Sequence, residues 1–178
     1  MHYTKTRQFG PIEGLQMGVG YLGPPPVMVY SFYIDGLLVD TGPPKLKNEL
    51  LHWLQNKPLE QVFITHHHED HSGNVNPVSQ YSKVPIYGSL TCSELVMGKV
   101  KTSIPQRIFW GTPVYTDQVQ PYSEKKLLTN KYTFEIISIP GHSIDQVALY
   151  EAQQGWLFSA DAFVSPIIKY FLKTESMA

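Results

Sequence analysis

The run His66-His67-His68-Glu69-Asp70-His71 follows directly on Gln61-Val62-Phe63-Ile64-Thr65, a segment of the buried-strand type. No other feature constrains the fold as strongly. A cluster of imidazoles and carboxylates at the end of an apolar strand needs a scaffold that presents it to a ligand. In an extended chain successive side chains alternate sides, so the register His-x-His sends His66 and His68 the same way and lets two imidazoles reach one ion. Imidazole and carboxylate are ligands that zinc takes, and a zinc site with one open position brings the pKa of water to about 7. A solvated histidine run is the bland alternative. The internal position after a buried strand, and the mixture of hard carboxylate with imidazole, weigh against it. The helical zinc motif His-Glu-x-x-His is absent from the sequence.

The flanking sequence predicts a mixed α/β chain. Val27 to Asp40 is rich in β-branched and aromatic residues and is broken by Asp35-Gly36, which predicts a hairpin of two strands. Before it, Gly23-Pro24-Pro25-Pro26 can neither pair in a ladder nor continue a helix, which predicts an exposed loop or a strand-edge bulge, able to form a rim over a site. Leu46, Leu50, Leu51 and Leu54 recur at helical spacing ahead of Pro58. Further on, 72–81 reads as weakly helical, 84–87 as a strand and 91–97 as a helical turn. Lys131 to Ile139, Gln146 to Tyr150 and Trp156 to Ser159 read as a β-meander. With 178 residues and no internal repeat, residues 1–178 are read as one domain.

Composition narrows the function classes. A formal net charge of −1 without a dense Lys/Arg run gives no footprint for nucleic acid. No stretch reaches the roughly 20 apolar residues of a membrane span. The single cysteine, Cys92, cannot form an intrachain disulfide, and Met1 to Gly10 lacks the apolar run of a signal peptide, so a cytoplasmic location is the expectation. Cys92 is read as a small buried residue, and His2 and His52, with no motif around them, as surface residues. Phe109, Trp110, Tyr115 and Tyr122 are read as core aromatics.

Three more motifs follow in order: Leu38-Val39-Asp40-Thr41-Gly42, Ile139-Pro140-Gly141-His142-Ser143 and Leu157-Phe158-Ser159-Ala160-Asp161. Together with Thr65 to Gly73 they resemble the signature of the metallo-β-lactamase superfamily. The resemblance implies an αββα sandwich of two mixed β-sheets flanked by helices. It implies that His66, His68 and His142 bind a first metal, that Asp70 and His71 bind a second, and that Asp161 bridges the two. Asp40 would support the histidine loop through hydrogen bonds, and Asp70 would also shuttle a proton. His67 and Glu69, at the x positions, would point away from the metals toward solvent or into the surrounding shell. The implied cofactor is zinc, one or two ions, with iron or manganese as alternatives.

By the same resemblance the chain is a zinc-dependent hydrolase that uses a metal-held hydroxide on a small ester, thioester or lactone. Members of the family usually add a last histidine downstream of the bridging aspartate. Here 17 residues follow Asp161 and none is histidine. The C-terminal part of the domain is therefore expected to be incomplete, with 163–177 as a helix that packs on missing elements. A shortened chain, a naturally short gene product and a homo-oligomer that completes the fold all fit. The partner is expected to be a small-molecule substrate, with neither nucleic acid nor membrane. Two other readings stand beside this one: a degenerate metal-binding protein without turnover, and a nuclease of the same superfamily.

Overall fold

The computed structural model describes residues 1–98, 104–113 and 115–163. Seven strands form the larger sheet in sequence order: β1 (His2–Phe9), β2 (Ile12–Val19), β3 (Val29–Ile34), β4 (Leu37–Val39), β5 (Gln61–Ile64), β6 (Ile86–Gly88) and β7 (Val119–Pro121). The first four pair antiparallel through hairpins. From β4 to β7 the pairing is parallel, because α1 (Lys47–Leu54), α3 (Val75–Ser82) and α4 (Leu90–Met97) return the chain to the starting edge. The short α2 (Glu69–Ser72) precedes α3, and α5 (Ile104–Phe109) follows α4.

The hairpin expected at Asp35-Gly36 is present. Both residues take positive φ, 47° and 82°, which a tight turn between right-twisted strands demands. The leucine periodicity also holds: Leu46, Leu50 and Leu54 are fully buried, and with Val75, Val78 and Cys92 they pack on one face of the larger sheet. The β1–β2 hairpin was not legible in the sequence. β1 is exposed along almost its whole length, so no apolar alternation marks it.

β8 (Lys126–Leu128), β9 (Thr133–Ser138), β10 (Val147–Glu151) and β11 (Trp156–Phe158) form the second sheet, ordered β11-β10-β9-β8. Only the larger sheet is mixed. The smaller one is antiparallel throughout, since each strand turns back through a short connection with no crossover helix. Leu37, Val39, Phe63, Leu127, Phe134 and Leu149 lie between the two sheets. Phe63 and Phe134 are fully buried there, and each such side chain contributes about 1.5–3 kcal/mol. Among the described residues the helices feed the first core and none feeds the second. The helix expected over 163–177 lies, beyond Phe163, outside the described residues. Among those described, no helix is long and apolar enough to cross a membrane.

This topology sets one end of the sandwich apart. Asp40 follows β4, the histidine run follows β5 and Ser89 follows β6, so all three leave the same end of the parallel strands. β3 runs against β4, and the end of β2 pairs with the start of β3 at Met17 and Val29. The proline loop between β2 and β3 therefore lies at that end as well. Trp110 is buried and Tyr122 packs against the inter-sheet core, as read for core aromatics. Tyr115 is instead exposed.

Candidate metal centre

Asp40 organises the end of β4. Its backbone is left-handed, with φ 61°, a conformation that Asp tolerates better than most residues, and its N–H donates to the Phe63 carbonyl at 2.9 Å. The carboxylate, thus turned toward the neighbouring strand, accepts from Thr65 N at 2.8 Å and from Thr65 Oγ1 at 2.8 Å. Its Oδ2 lies 2.8 Å from His71 Nδ1. A carboxylate there favours the proton on Nδ1 and leaves Nε2 free to ligate. Thr41 adds a second tie, with Oγ1 donating to the His71 carbonyl at 3.0 Å.

The histidines converge. His66 Nε2 is 3.1 Å from His68 Nδ1, and His142 Nε2 is 3.0 Å from the same atom. Two nitrogens sharing one tetrahedral zinc at about 2.05 Å would stand about 3.3 Å apart, so the spacing fits a common ion. His71 Nε2 is buried and faces the carboxylates of Asp161 and Asp70, a setting of anionic oxygens around a ring nitrogen that a metal would fill. Asp161 spans the gap: Oδ1 is 3.2 Å from His71 Nε2 and Oδ2 is 3.2 Å from His142 Nε2. Two sets of donor atoms, His66/His68/His142 and His66/His71/Asp161, are thus close enough to hold an ion. Asp70 stands further back, with Oδ2 3.8 Å from His71 Nε2.

Protonation follows burial and charge. Burial, and then the other histidines, lowers the His68 pKa to about 3, and burial holds His66 well below its ordinary value. Both are neutral at physiological pH, the form that ligates. At His71 burial also opposes protonation, but Asp161, Asp40 and Asp70 outweigh it and raise the pKa well above the ordinary value. Burial raises Asp70. At Asp161 burial acts in the same sense, yet the histidines, His71 foremost, lower it to about 2.

Of the two surroundings expected for His67 and Glu69, solvent or the surrounding shell, Glu69 takes the second: it is buried, with Oε1 unpartnered. His67 stands edge-on to the His68 ring, with centroids 4.7 Å apart, and its Nδ1 turns to a residue the sequence reading missed, Asp145. Asp145 Oδ2 accepts from His67 N at 2.7 Å and Oδ1 lies 2.9 Å from His67 Nδ1. Ser143 Oγ donates to the same Oδ1. A carboxylate three residues beyond His142 in the same turn was the available signal. Cys92 is buried, and burial pushes its thiol pKa up, in keeping with an inert side chain. His2 pairs with Glu49 at the surface, 2.6 Å away, and His52 is exposed.

Comparison with known proteins gives a consistent result. The family model for the metallo-beta-lactamase superfamily matches residues 24–173. A hydroxyacylglutathione hydrolase from Marinomonas sp. (strain MWYL1) is 29% identical over 116 residues, covering 65% of this chain and 37% of the relative. Another, from Baumannia cicadellinicola subsp. Homalodisca coagulata, is 31% identical over 134 residues, 72% of this chain and 41% of the relative. The chain thus matches less than half the length of these curated relatives. Among solved structures, the BLEG-1 B3 metallo-beta-lactamase aligns with a TM-score of 0.58 at 25% identity, over 88% of this chain and 71% of that one. A metallo-beta-lactamase from Hirschia baltica aligns with a TM-score of 0.62 at 17% identity, over 88% and 70%, a likeness of fold. The match over most of its length, together with two stacked sheets whose shared end gathers four histidines and an aspartate, shows that this chain belongs to the metallo-β-lactamase superfamily.

Proposed function

We propose that the chain is a zinc-dependent hydrolase of a small thioester. The observation that carries this reading is the meeting of His66 Nε2, His68 Nδ1 and His142 Nε2 around one point, with His71 and Asp161 beside it. His66, His68 and His142 would hold a first ion. His71 and Asp161, with Asp70 behind them, would hold a second, and Asp161 faces both sets through its two oxygens. When bound, zinc supplies Lewis acidity and lowers the pKa of water to about 7. Asp40 keeps the His71 proton on Nδ1. Asp70, whose pKa burial raises, would hold or pass a proton near the reacting bond. The thioester class is supported by the hydroxyacylglutathione hydrolases among the relatives.

The two sets of three donors share His66, so when His66 serves the first ion only His71 and Asp161 of the second set remain. This favours one tightly held ion and a second that exchanges readily. It also keeps a second reading, a metal-binding protein without turnover. Hydrolysis of a hydroxyacylglutathione thioester, followed by thiol release in zinc-loaded and chelator-treated protein, tests the proposal. Zinc-dependent thiol release that His68→Ala abolishes supports the hydrolase. Tight zinc binding with no thiol release supports the second reading.

A further inference from the structure

The centre is assembled from two sheets. His66, His68 and His71 leave β5 of the larger sheet, whereas His142 lies on the connection between β9 and β10 of the smaller one. Residues on separate sheets do not reach a spacing of 3.0 Å, as His142 and His68 do, unless something fixes one loop against the other. We propose that Asp145 is the positioning residue that clamps the His142 loop onto the His66–His68 segment and so sets the geometry of the first metal site. This rests on the metal-centre reading given above.

The Asp145 side chain is fully buried; beside the Cys92 thiol on α4, its partners lie on the two loops. It grips His67 at the backbone N–H and at Nδ1, while Ser143, next to His142, bonds to the same carboxylate. The other side of His67 is held too: its carbonyl accepts from Ser72 Oγ at 2.8 Å, and the His68 carbonyl accepts from the same hydroxyl at 3.1 Å. His67 is therefore fixed at both its backbone groups, and His66 and His68 are its chain neighbours. The segment bends here after leaving β5, and holding its middle residue on both sides limits how far the two flanking imidazoles can turn. On the far side, the Asp145 carbonyl accepts from Ser89 Oγ at 3.0 Å, which anchors the clamp to the loop after β6. Asp40 has a different task, since its bonds run to Thr65 and His71 and stay within the larger sheet. The one described backbone bond that reinforces Asp145 across the sheets is Val147 N to Thr65 O, at 3.0 Å.

A role confined to stability would weaken folding and leave metal geometry alone, so the test reads the metal. Zinc affinity is measured by competition with a chromophoric chelator, and the visible spectrum is recorded on the cobalt(II)-substituted protein. The variants are Asp145→Ala, Asp145→Asn and, as a core control remote from the clamp, Leu54→Ala on α1. Partners that orient metal ligands typically change affinity by about 10–100-fold when removed, and Asp145→Ala is expected to weaken zinc by that amount and to shift the cobalt bands. Asp145→Asn keeps the shape and one acceptor oxygen and should fall between Asp145→Ala and the parent, which also decides the matter if the alanine variant does not fold. Leu54→Ala should melt earlier yet bind zinc as the parent does. Parent-like affinity and cobalt spectrum in Asp145→Asn or Asp145→Ala would overturn the clamp, as would an equal loss of affinity in Leu54→Ala. A parent protein that binds no zinc would instead overturn the metal-centre reading itself.

Discussion

The two halves of the candidate centre are built differently. On the larger sheet, His66, His68 and His71 come from six consecutive residues at the end of one parallel strand, and Asp40 on the adjacent strand end bonds directly to that segment. On the smaller sheet, His142 and Asp161 sit on separate turns, both only partly buried. The first half is held by its own loop and a neighbouring strand. The second depends on how the sheets pack and on Asp145. A centre of this kind has a local half that survives disturbance elsewhere and a remote half that reports on tertiary packing.

The largest expected effect comes from removing the residue where the halves meet. His68 Nδ1 is close to both His66 and His142, so His68→Ala should abolish tight zinc binding, read as metal content per chain after dialysis. Next come paired core truncations. Large-to-small changes at buried sites cost about 2–5 kcal/mol, so Phe134→Ala between the sheets and Leu54→Ala on α1 should both lower the denaturant midpoint. Phe134→Ala alone should also weaken zinc binding, because it loosens the packing that carries His142. Equal zinc affinity in the two variants would break the comparison.

Asp40→Ala should act within the local half. It leaves Thr65 N and His71 Nδ1 without their acceptor, at a cost of about 1–3 kcal/mol for such buried groups. Calorimetric titration should show the second, weaker ion lost before the first. The smallest effect concerns pH in metal-free protein. The folded-state pKa values of His66 and His68 are lowered, so below about pH 6.5 the unfolded chain takes up protons that the native state refuses, and stability falls as pH drops. His71 has the opposite sign: its raised pKa gives stability that is fully present below about pH 6.5 and is lost as pH rises through the folded-state value. Thermal melts in chelator should therefore show midpoints that decline on acidification from about pH 6.5, and added zinc should raise them where the histidines remain neutral.

The sequence by itself determined the elements whose signals are local. Asp35-Gly36 fixed a hairpin because two positive φ values favour those residue types. The leucines from Leu46 to Leu54 fixed a helix because a buried stripe needs that period. His66 to His71 showed a ligand cluster because its chemistry is contiguous. Family resemblance added His142 and Asp161, which by residue type alone would have read as a core histidine and a helix cap. Only the tertiary structure decided the rest. The exposed β1 carries no apolar alternation and pairs because β2 offers it an edge. His67 turns to Asp145 because the β9–β10 connection of the smaller sheet closes over its loop, and Glu69 lies buried although its residue type predicts exposure. The antiparallel character of that sheet, and the contact of His142 with His68, depend on partners distant in sequence. Such contacts leave no period or composition to read, because the energy that specifies them comes from two surfaces meeting.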